Sequence, residues 1–295
     1  MLPQKPERYM TSKKKKIGLI IGSGDLAIYC VEKLVNLGHE IVVLRLPCSQ
    51  IKIRRGIKKI DIRYEKIGEA FSYLKQNSIS DIALIGYLER PVIDVLKASQ
   101  KSQRILSKVV STLNEGDGAI FAAVKKMLID ENFNMLKVQD LLPALTLPPG
   151  MLGSSFEEII RTHEIERGIS TFLDYANLDV GQSIVFQGGH CLGMETLTGT
   201  DEMIKAVVNY RKSNYGKSLS GGILIKGSKP KQILDIDTPV IGPNTIKLAH
   251  KAKLNGLVIE SNKVILVNRD LIITLLESYN MFLFSTNFFK KNLQC

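Results

Sequence analysis

KIGLIIGSGDLA, residues 16–27, decides how the chain folds. The run Gly18-Leu19-Ile20-Ile21 is continuously apolar, as in a strand buried on both faces of a parallel sheet. It leads into Gly22-Ser23-Gly24 and then into a segment over 25–37 that reads as a helix ended by Gly38. The spacing G-x-G-x-x-A is that of a dinucleotide-binding turn, whose glycines let the backbone approach a phosphate at a helix N-terminus. A nicotinamide site also takes an acidic residue about twenty positions further on, to hold the ribose. Arg45 occupies that place, which suits a 2′-phosphate or a different anionic ligand. Taken alone, the motif leaves NADP, another nucleotide and a purely structural turn all open.

Outward from this turn, strands and helices alternate. Ile41–Leu44 reads as the second strand, Gly68–Gln76 as a helix, and Asp81–Ile85 as a later strand ending at Gly86. Residues 105–131 read as helical, broken near Gly116-Asp117-Gly118. This order predicts an α/β sheet with right-handed crossovers. TLPPGMLGSS, residues 146–155, concentrates Pro148, Pro149, Gly150 and Gly153, a composition that neither a helix nor a central strand tolerates. A connecting helix is expected over 156–177. Beyond it, Ser183–Phe186 and Cys191–Glu195 flank Gly188-Gly189 as a hairpin. A helix is expected from Gly199-Thr200-Asp201, then strands at Gly222–Lys226, Pro239–Gly242, Leu257–Glu260, Val264–Val267 and Met281–Phe284. The expected organisation is a basic tail at 1–15, an N-terminal domain at 16–145, a linker at 146–165, a second domain at 166–286 and a tail at 287–295.

The 295 residues, 44% hydrophobic and 23% charged, are enough for two domains that each bury a core. No apolar run reaches the roughly 18 residues that span a bilayer, and the basic N-terminal stretch lacks the apolar core of a secretory signal. Cys30, Cys48, Cys191 and Cys295 are scattered, without a C-x-x-C pair, which fits reduced thiols in a cytoplasm. The net charge of +11 is patchy. Residues 1–16 and 52–66 each carry +5, the second stretch through Lys52, Arg54, Arg55, Lys58, Lys59, Arg63 and Lys66 against Asp61 and Glu65. Such patches suit an anionic partner: a phosphorylated ligand, an anionic membrane surface or nucleic acid. A solvated face is the plain alternative.

KGSKPKQILDIDTPVIGPNT, residues 226–245, is the most unusual polar stretch. Lys226, Lys229 and Lys231 precede Asp235 and Asp237, then Pro239, Gly242 and Thr245. Cations beside carboxylates at strand ends serve phosphoryl chemistry, since the cations offset phosphate charge and hard carboxylate oxygens hold Mg²⁺ or orient water. Glu195 and Asp201 lie at another junction, and Asp117 at a third; Thr200 and Asp201 also suit a helix start, and Asp117 an ordinary turn. His39, His163, His190 and His250 stand singly and read as structural or solvated.

In order along the chain, GLIIGSGDLA (18–27), GYLERP (86–91), EGDGA (115–119), TLPPG (146–150), DVGQSIV (179–185), ETLTGTD (195–201) and KPKQILDIDTPVIGPNT (229–245) form a set. The set resembles the UDP-2,3-diacylglucosamine pyrophosphatase family of lipid A biosynthesis, the branch unrelated to calcineurin-like phosphoesterases. The resemblance runs from about Lys16 to about Phe284 and is most specific in the D-x-P-x-I-G-x-x-T of Asp237 to Thr245. Two positions depart from the family pattern: Ala27 where Pro is frequent, and Gly118 where a second acidic residue is.

The resemblance implies a Rossmann-like N-terminal domain and a distinct α/β C-terminal domain, with the active site and lipid in the cleft between them. It implies Mg²⁺-dependent hydrolysis of UDP-2,3-diacylglucosamine to UMP and 2,3-diacylglucosamine 1-phosphate. The critical aspartate of the family matches Asp237, which would bind Mg²⁺ or align and deprotonate the attacking water. Glu195 or Asp201 would complete the metal shell, Asp201 being counted among the catalytic residues. Lys226 and Lys229 would offset charge on the pyrophosphate oxygens. Gly22, Ser23, Gly24, Arg90, Thr200, Gln232 and Thr245 are expected to contact substrate. A homodimer, docked peripherally on the anionic cytoplasmic face of the inner membrane, completes the expectation, with no nucleic acid as partner. The alternatives are an NADP-dependent oxidoreductase and a non-enzymatic nucleotide- or nucleic-acid-binding protein.

Overall fold

A computed structural model describes residues 14–89, 91–115, 117–153, 162–214, 220–230, 232, 234 and 236–289. The chain divides into two compact units, Met1–Leu142 and Pro143–Cys295.

The N-terminal unit runs β1 (Lys16–Ile21), α1 (Asp25–Asn36), β2 (Glu40–Arg45), β3 (Lys58–Asp61), α2 (Ile67–Gln76), β4 (Asp81–Ile85), α3 (Gln100–Val110), α4 (Asp117–Asp130), β5 (Asn134–Met135) and α5 (Val138–Leu141). Its sheet has the order β3-β2-β1-β4-β5 and every pairing is parallel. This is the doubly wound order, with β1 at the centre. The apolar runs predicted it well: Ile17, Leu19, Ile21, Val43, Leu44, Ile82 and Ala83 are fully buried or nearly so. β3 was not predicted, because its lysines conceal it. It is an edge strand, where lysines are tolerated and discourage further pairing.

The second unit runs β6 (Gly150–Gly153), α6 (Thr162–Ala176), β7 (Ser183–Gln187), β8 (His190–Met194), α7 (Thr200–Asn214), β9 (Ile223–Lys226), β10 (Val240–Ile241), α8 (Pro243–Lys251), β11 (Gly256–Glu260), β12 (Ile265–Leu266), α9 (Arg269–Ser278) and β13 (Phe282–Thr286). The main sheet has the order β6-β13-β11-β9-β7-β8. β9, β11 and β13 are mutually parallel, while β6, β7 and β8 pair antiparallel at the flanks. Alternating side chains feed two cores. Ile184, Phe186, Ile225 and Val258 pack with Phe172 and Ile169 of α6. Val185, Leu224, Leu257 and Ile259 pack on the opposite face with Val207, Ile246 and Ile272 of α7, α8 and α9.

The expected linker at 146–165 is corrected. Residues 150–153 form β6, antiparallel to β13. Its glycines are tolerated because β6 is an edge strand, and Pro148-Pro149 lie just outside it. α6 is described from Thr162, and 154–161, where the start of the expected connecting helix falls, lie outside the described residues. In the C-terminal tail, Phe288 is buried against Phe172, with ring centroids 5.6 Å apart, while Phe289 is 61% exposed.

Candidate active site

The parallel strands of the second sheet end in polar residues, and in open α/β sheets ligands bind outside such carboxyl ends. β9 ends at Lys226 and β11 at Glu260, both only a few per cent exposed. An apolar strand that closes with a buried charge needs built partners for it. Lys226 Nζ donates to Thr200 Oγ1 (2.5 Å) and lies 3.6 Å from Glu195 Oε2. Glu195 Oε2 accepts from Ser183 Oγ (2.5 Å) and Thr200 Oγ1 (2.9 Å). Tyr175 donates its hydroxyl to the Glu195 carbonyl. Burial first, then the Glu195 and Cys191 charges, push the Tyr175 pKa to about 12, so it stays a donor. Three expected site residues, Lys226, Thr200 and Glu195, thus form one network.

Beyond β9 the chain turns through Gly227, whose missing Cβ makes room for the Phe288 and Phe172 rings. Ser228 donates both its N–H (2.8 Å) and its hydroxyl (2.7 Å) to Glu260 Oε2, and Lys263 pairs with Glu260 Oε1 at 2.6 Å. Lys229 pairs with Asp179 at 2.8 Å. Gln232 Oε1 accepts the Lys229 N–H (2.9 Å), while Gln232 Nε2 is buried with no hydrogen-bond partner among the described residues. A substrate oxygen would satisfy that donor.

Asp237 precedes β10, and Gln182 Nε2 approaches its Oδ1 at 3.4 Å. Asp201 is committed differently: Oδ1 accepts from Thr245 Oγ1 (2.9 Å) and Oδ2 from Asn244 Nδ2 (2.5 Å), which ties the start of α7 to the start of α8. α8 opens at Gly242 with Pro243 in its first turn, a position where the missing proline N–H costs no hydrogen bond. Glu195 and Asp201 therefore have separate partners. Among the described residues no three His, Cys, Asp or Glu side chains are grouped to hold a metal ion. Of the residues expected to hold the metal with Asp237, Asp201 accepts a hydrogen bond on each oxygen and Glu195 serves Lys226, Thr200 and Ser183. Mg²⁺ characteristically uses one or two carboxylates together with substrate phosphate oxygens, a role that Asp237 fits.

The glycine turn belongs to the N-terminal unit. Gly22 N–H donates to Ile85 O (2.9 Å), Ser23 N–H donates to Tyr87 O (2.9 Å), and Tyr87 N–H returns to Ser23 O (2.8 Å). A Cβ on Gly22 would overlap the Tyr87 carbonyl. The glycine is thus required by a neighbouring strand end, and the Gly22 and Ser23 amides, in the turn expected to contact substrate, are bonded within the chain. Gly24, at φ 98°, leads into α1 with open space around it, and the first helical residue is Asp25, whose carboxylate disfavours an anion there. Arg45, the residue suggestive of a 2′-phosphate, pairs with Asp61 at 2.6 Å and donates to Ile51 O at 3.1 Å. Arg90, Lys231 and Asp235 lie outside the described residues.

Gln182, Ser183, Asp179 and Glu260 hold the site, and sequence reasoning gave none of them a role. The signals were present: DVGQSIV stood out as a motif, and Glu260 is the one charge in the buried strand GLVIE.

Residues 16–145 match the LpxI N-terminal domain and residues 148–284 the LpxI C-terminal domain. The chain is 26% identical over 269 residues to the UDP-2,3-diacylglucosamine pyrophosphatase LpxI of Caulobacter vibrioides, covering 91% of this chain and 96% of that protein. Among solved structures, the Bordetella bronchiseptica enzyme WbmG in complex with NAD aligns over 72% of each chain at 11% identity, with a TM-score of 0.25, too low to inform fold or cofactor. Both domains being matched in order over nearly its whole length, the chain belongs to the LpxI family.

Proposed function

We propose that this chain hydrolyses the pyrophosphate bond of UDP-2,3-diacylglucosamine to UMP and 2,3-diacylglucosamine 1-phosphate, with Mg²⁺, in lipid A biosynthesis. Family membership supports the substrate. The carrying observation is the carboxyl end of the second sheet, where buried Lys226, the Lys229 turn and Asp237 share supports from one short segment. In this reading Asp237 aligns the attacking water and accepts its proton. Lys226 and Lys229 offset charge that builds on the pyrophosphate oxygens, an effect strengthened by the low dielectric around Lys226. Thr200 and Gln232 orient substrate oxygens, Gln232 through the buried amide that has no partner among the described residues. Glu195 holds Lys226 in place, and Asp201 with Thr245 joins the two helix starts. Mg²⁺, when bound by Asp237 together with the pyrophosphate, would neutralise anionic charge and favour departure of the leaving phosphate.

Peripheral docking on an anionic cytoplasmic membrane surface, as a homodimer, belongs to the same proposal. Among the described residues no helix is long and apolar enough to cross a membrane. Lys52, Arg54, Arg55, Lys58, Lys59 and Arg63 are all exposed, which supports electrostatic attraction worth about 1 kcal/mol per basic residue near an anionic leaflet. The test is product analysis in detergent micelles. Equimolar UMP and sugar-1-phosphate lipid, formed with Mg²⁺ and abolished by chelator, would uphold the reaction; intact substrate after prolonged incubation with folded protein would refute it. The oxidoreductase alternative is not favoured, since Arg45 and the Gly22 and Ser23 amides already have partners.

A further inference from the structure

Four groups of the site converge on the five residues Asp179 to Ser183. Asp179 pairs with Lys229 at 2.8 Å. The Gln182 carbonyl accepts the Gly227 N–H at 3.1 Å, and the Gln182 amide donates to Asp237 Oδ1 at 3.4 Å. Ser183 donates to Glu195 Oε2 at 2.5 Å and lies opposite Lys226 in the antiparallel β7–β9 ladder. The path of this segment is fixed tightly: a Cβ on Gly181 would overlap both the Glu195 carbonyl and the Tyr175 hydroxyl. Asp179 itself sits at φ 59°, a left-handed conformation that ends the turn after α6.

The geometry points to Gln182 as a positioning residue for the hydrolysis, one that orients Asp237 while its main chain holds the lysine-bearing turn. Its carbonyl anchors the turn that carries Lys226 to Lys229, and its side chain reaches the aspartate that precedes β10. Water side and phosphate side thereby share one reference point, and small displacements between reacting groups are costly in rate. A long amide is suited to the task. It is uncharged, and its donor holds one carboxylate oxygen of Asp237. This inference rests on the catalytic reading of Asp237.

Two substitutions of nearly equal shape separate the roles. Gln182→Met keeps length and main chain but removes the donor; Gln182→Glu replaces the donor with an acceptor that repels Asp237. Steady-state hydrolysis of UDP-2,3-diacylglucosamine should show kcat reduced about 10- to 100-fold in the Met variant, as expected for loss of a hydrogen bond to a charged group. The Glu variant should be slower still. KM should stay within about threefold in both, because the interaction is with a catalytic group rather than with substrate. Melting temperatures should remain near that of the wild type. A Met variant with kcat within about twofold of wild type, alongside an inactive Asp237→Ala, would overturn the inference while leaving Asp237 in place. Parallel losses of stability and kcat in both variants would also overturn it, since a packing role predicts that pattern. An active Asp237→Ala would instead remove the reading beneath it.

Discussion

Lys226 and Glu195 form a buried ion pair, Nζ to Oε2 at 3.6 Å, with side chains 4% and 12% exposed, and Thr200 bridges them. Such a pair is costly to break from one side, because the remaining charge stays buried. Glu195→Ala should destabilise the protein by about 3–5 kcal/mol. The double substitution Lys226→Met with Glu195→Gln should recover most of that stability in urea denaturation but no turnover. Recovery of turnover in the double variant would show that Lys226 is dispensable for the chemistry.

Glu260 supports a second turn. It accepts from the Ser228 N–H and hydroxyl and pairs with Lys263. Removing it orphans the buried Ser228 donors, so Glu260→Ala should cost about 3 kcal/mol in chemical denaturation, and Glu260→Gln appreciably less because an acceptor remains. Equal losses in the two variants would contradict this account of the turn.

The two glycines of the opening motif should respond differently. Gly22→Ala drives a methyl group into the Tyr87 carbonyl, and should destabilise by about 3 kcal/mol or more. Gly24→Ala meets open space and pays only for its φ of 98° and ψ of 161°, a backbone region essentially confined to glycine, about 1–3 kcal/mol. Thermal melts of the pair decide the matter. A Gly24→Ala loss as large as that of Gly22→Ala would mean that the turn is constrained by something other than the β4 strand end.

His39 gives the N-terminal unit a pH dependence of defined sign. Its Nδ1 accepts the Lys15 N–H at 3.2 Å. Burial, and secondarily the Lys15 charge, hold its pKa below the ordinary 6.5. The unfolded chain therefore takes up the proton first on acidification. The His39 contribution is complete above pH 6.5 and is lost as pH falls toward the folded-state value. Urea midpoints measured on both sides of that pH should drop on the acid side, and less so for His39→Asn. Identical drops in the two proteins would assign the effect to other groups.

The fold was largely legible because buried parallel strands announce themselves as apolar runs: β1, β2 and β4 were each read from such runs. β3 and β6 were not, since an edge strand needs only one satisfied side and tolerates lysine or glycine. Within the site, Lys226, Thr200 and Glu195 were foreseen, and they meet. Asp201, expected to hold metal, bonds Asn244 and Thr245, residues more than forty positions away. No local pattern encodes such a partnership. The glycine motif stays ambiguous in sequence for a related reason: a glycine demanded by a neighbouring backbone looks like one demanded by a phosphate.

Asp237 stands at the centre of the account, and one comparison addresses it most directly: UMP release from UDP-2,3-diacylglucosamine by wild type and Asp237→Ala, with Mg²⁺ and with chelator, both proteins shown folded by their melts. The account predicts metal-dependent release by the wild type and a loss of several orders of magnitude, on the order of 10³ or more, in the variant. Near-normal release by Asp237→Ala would contradict it.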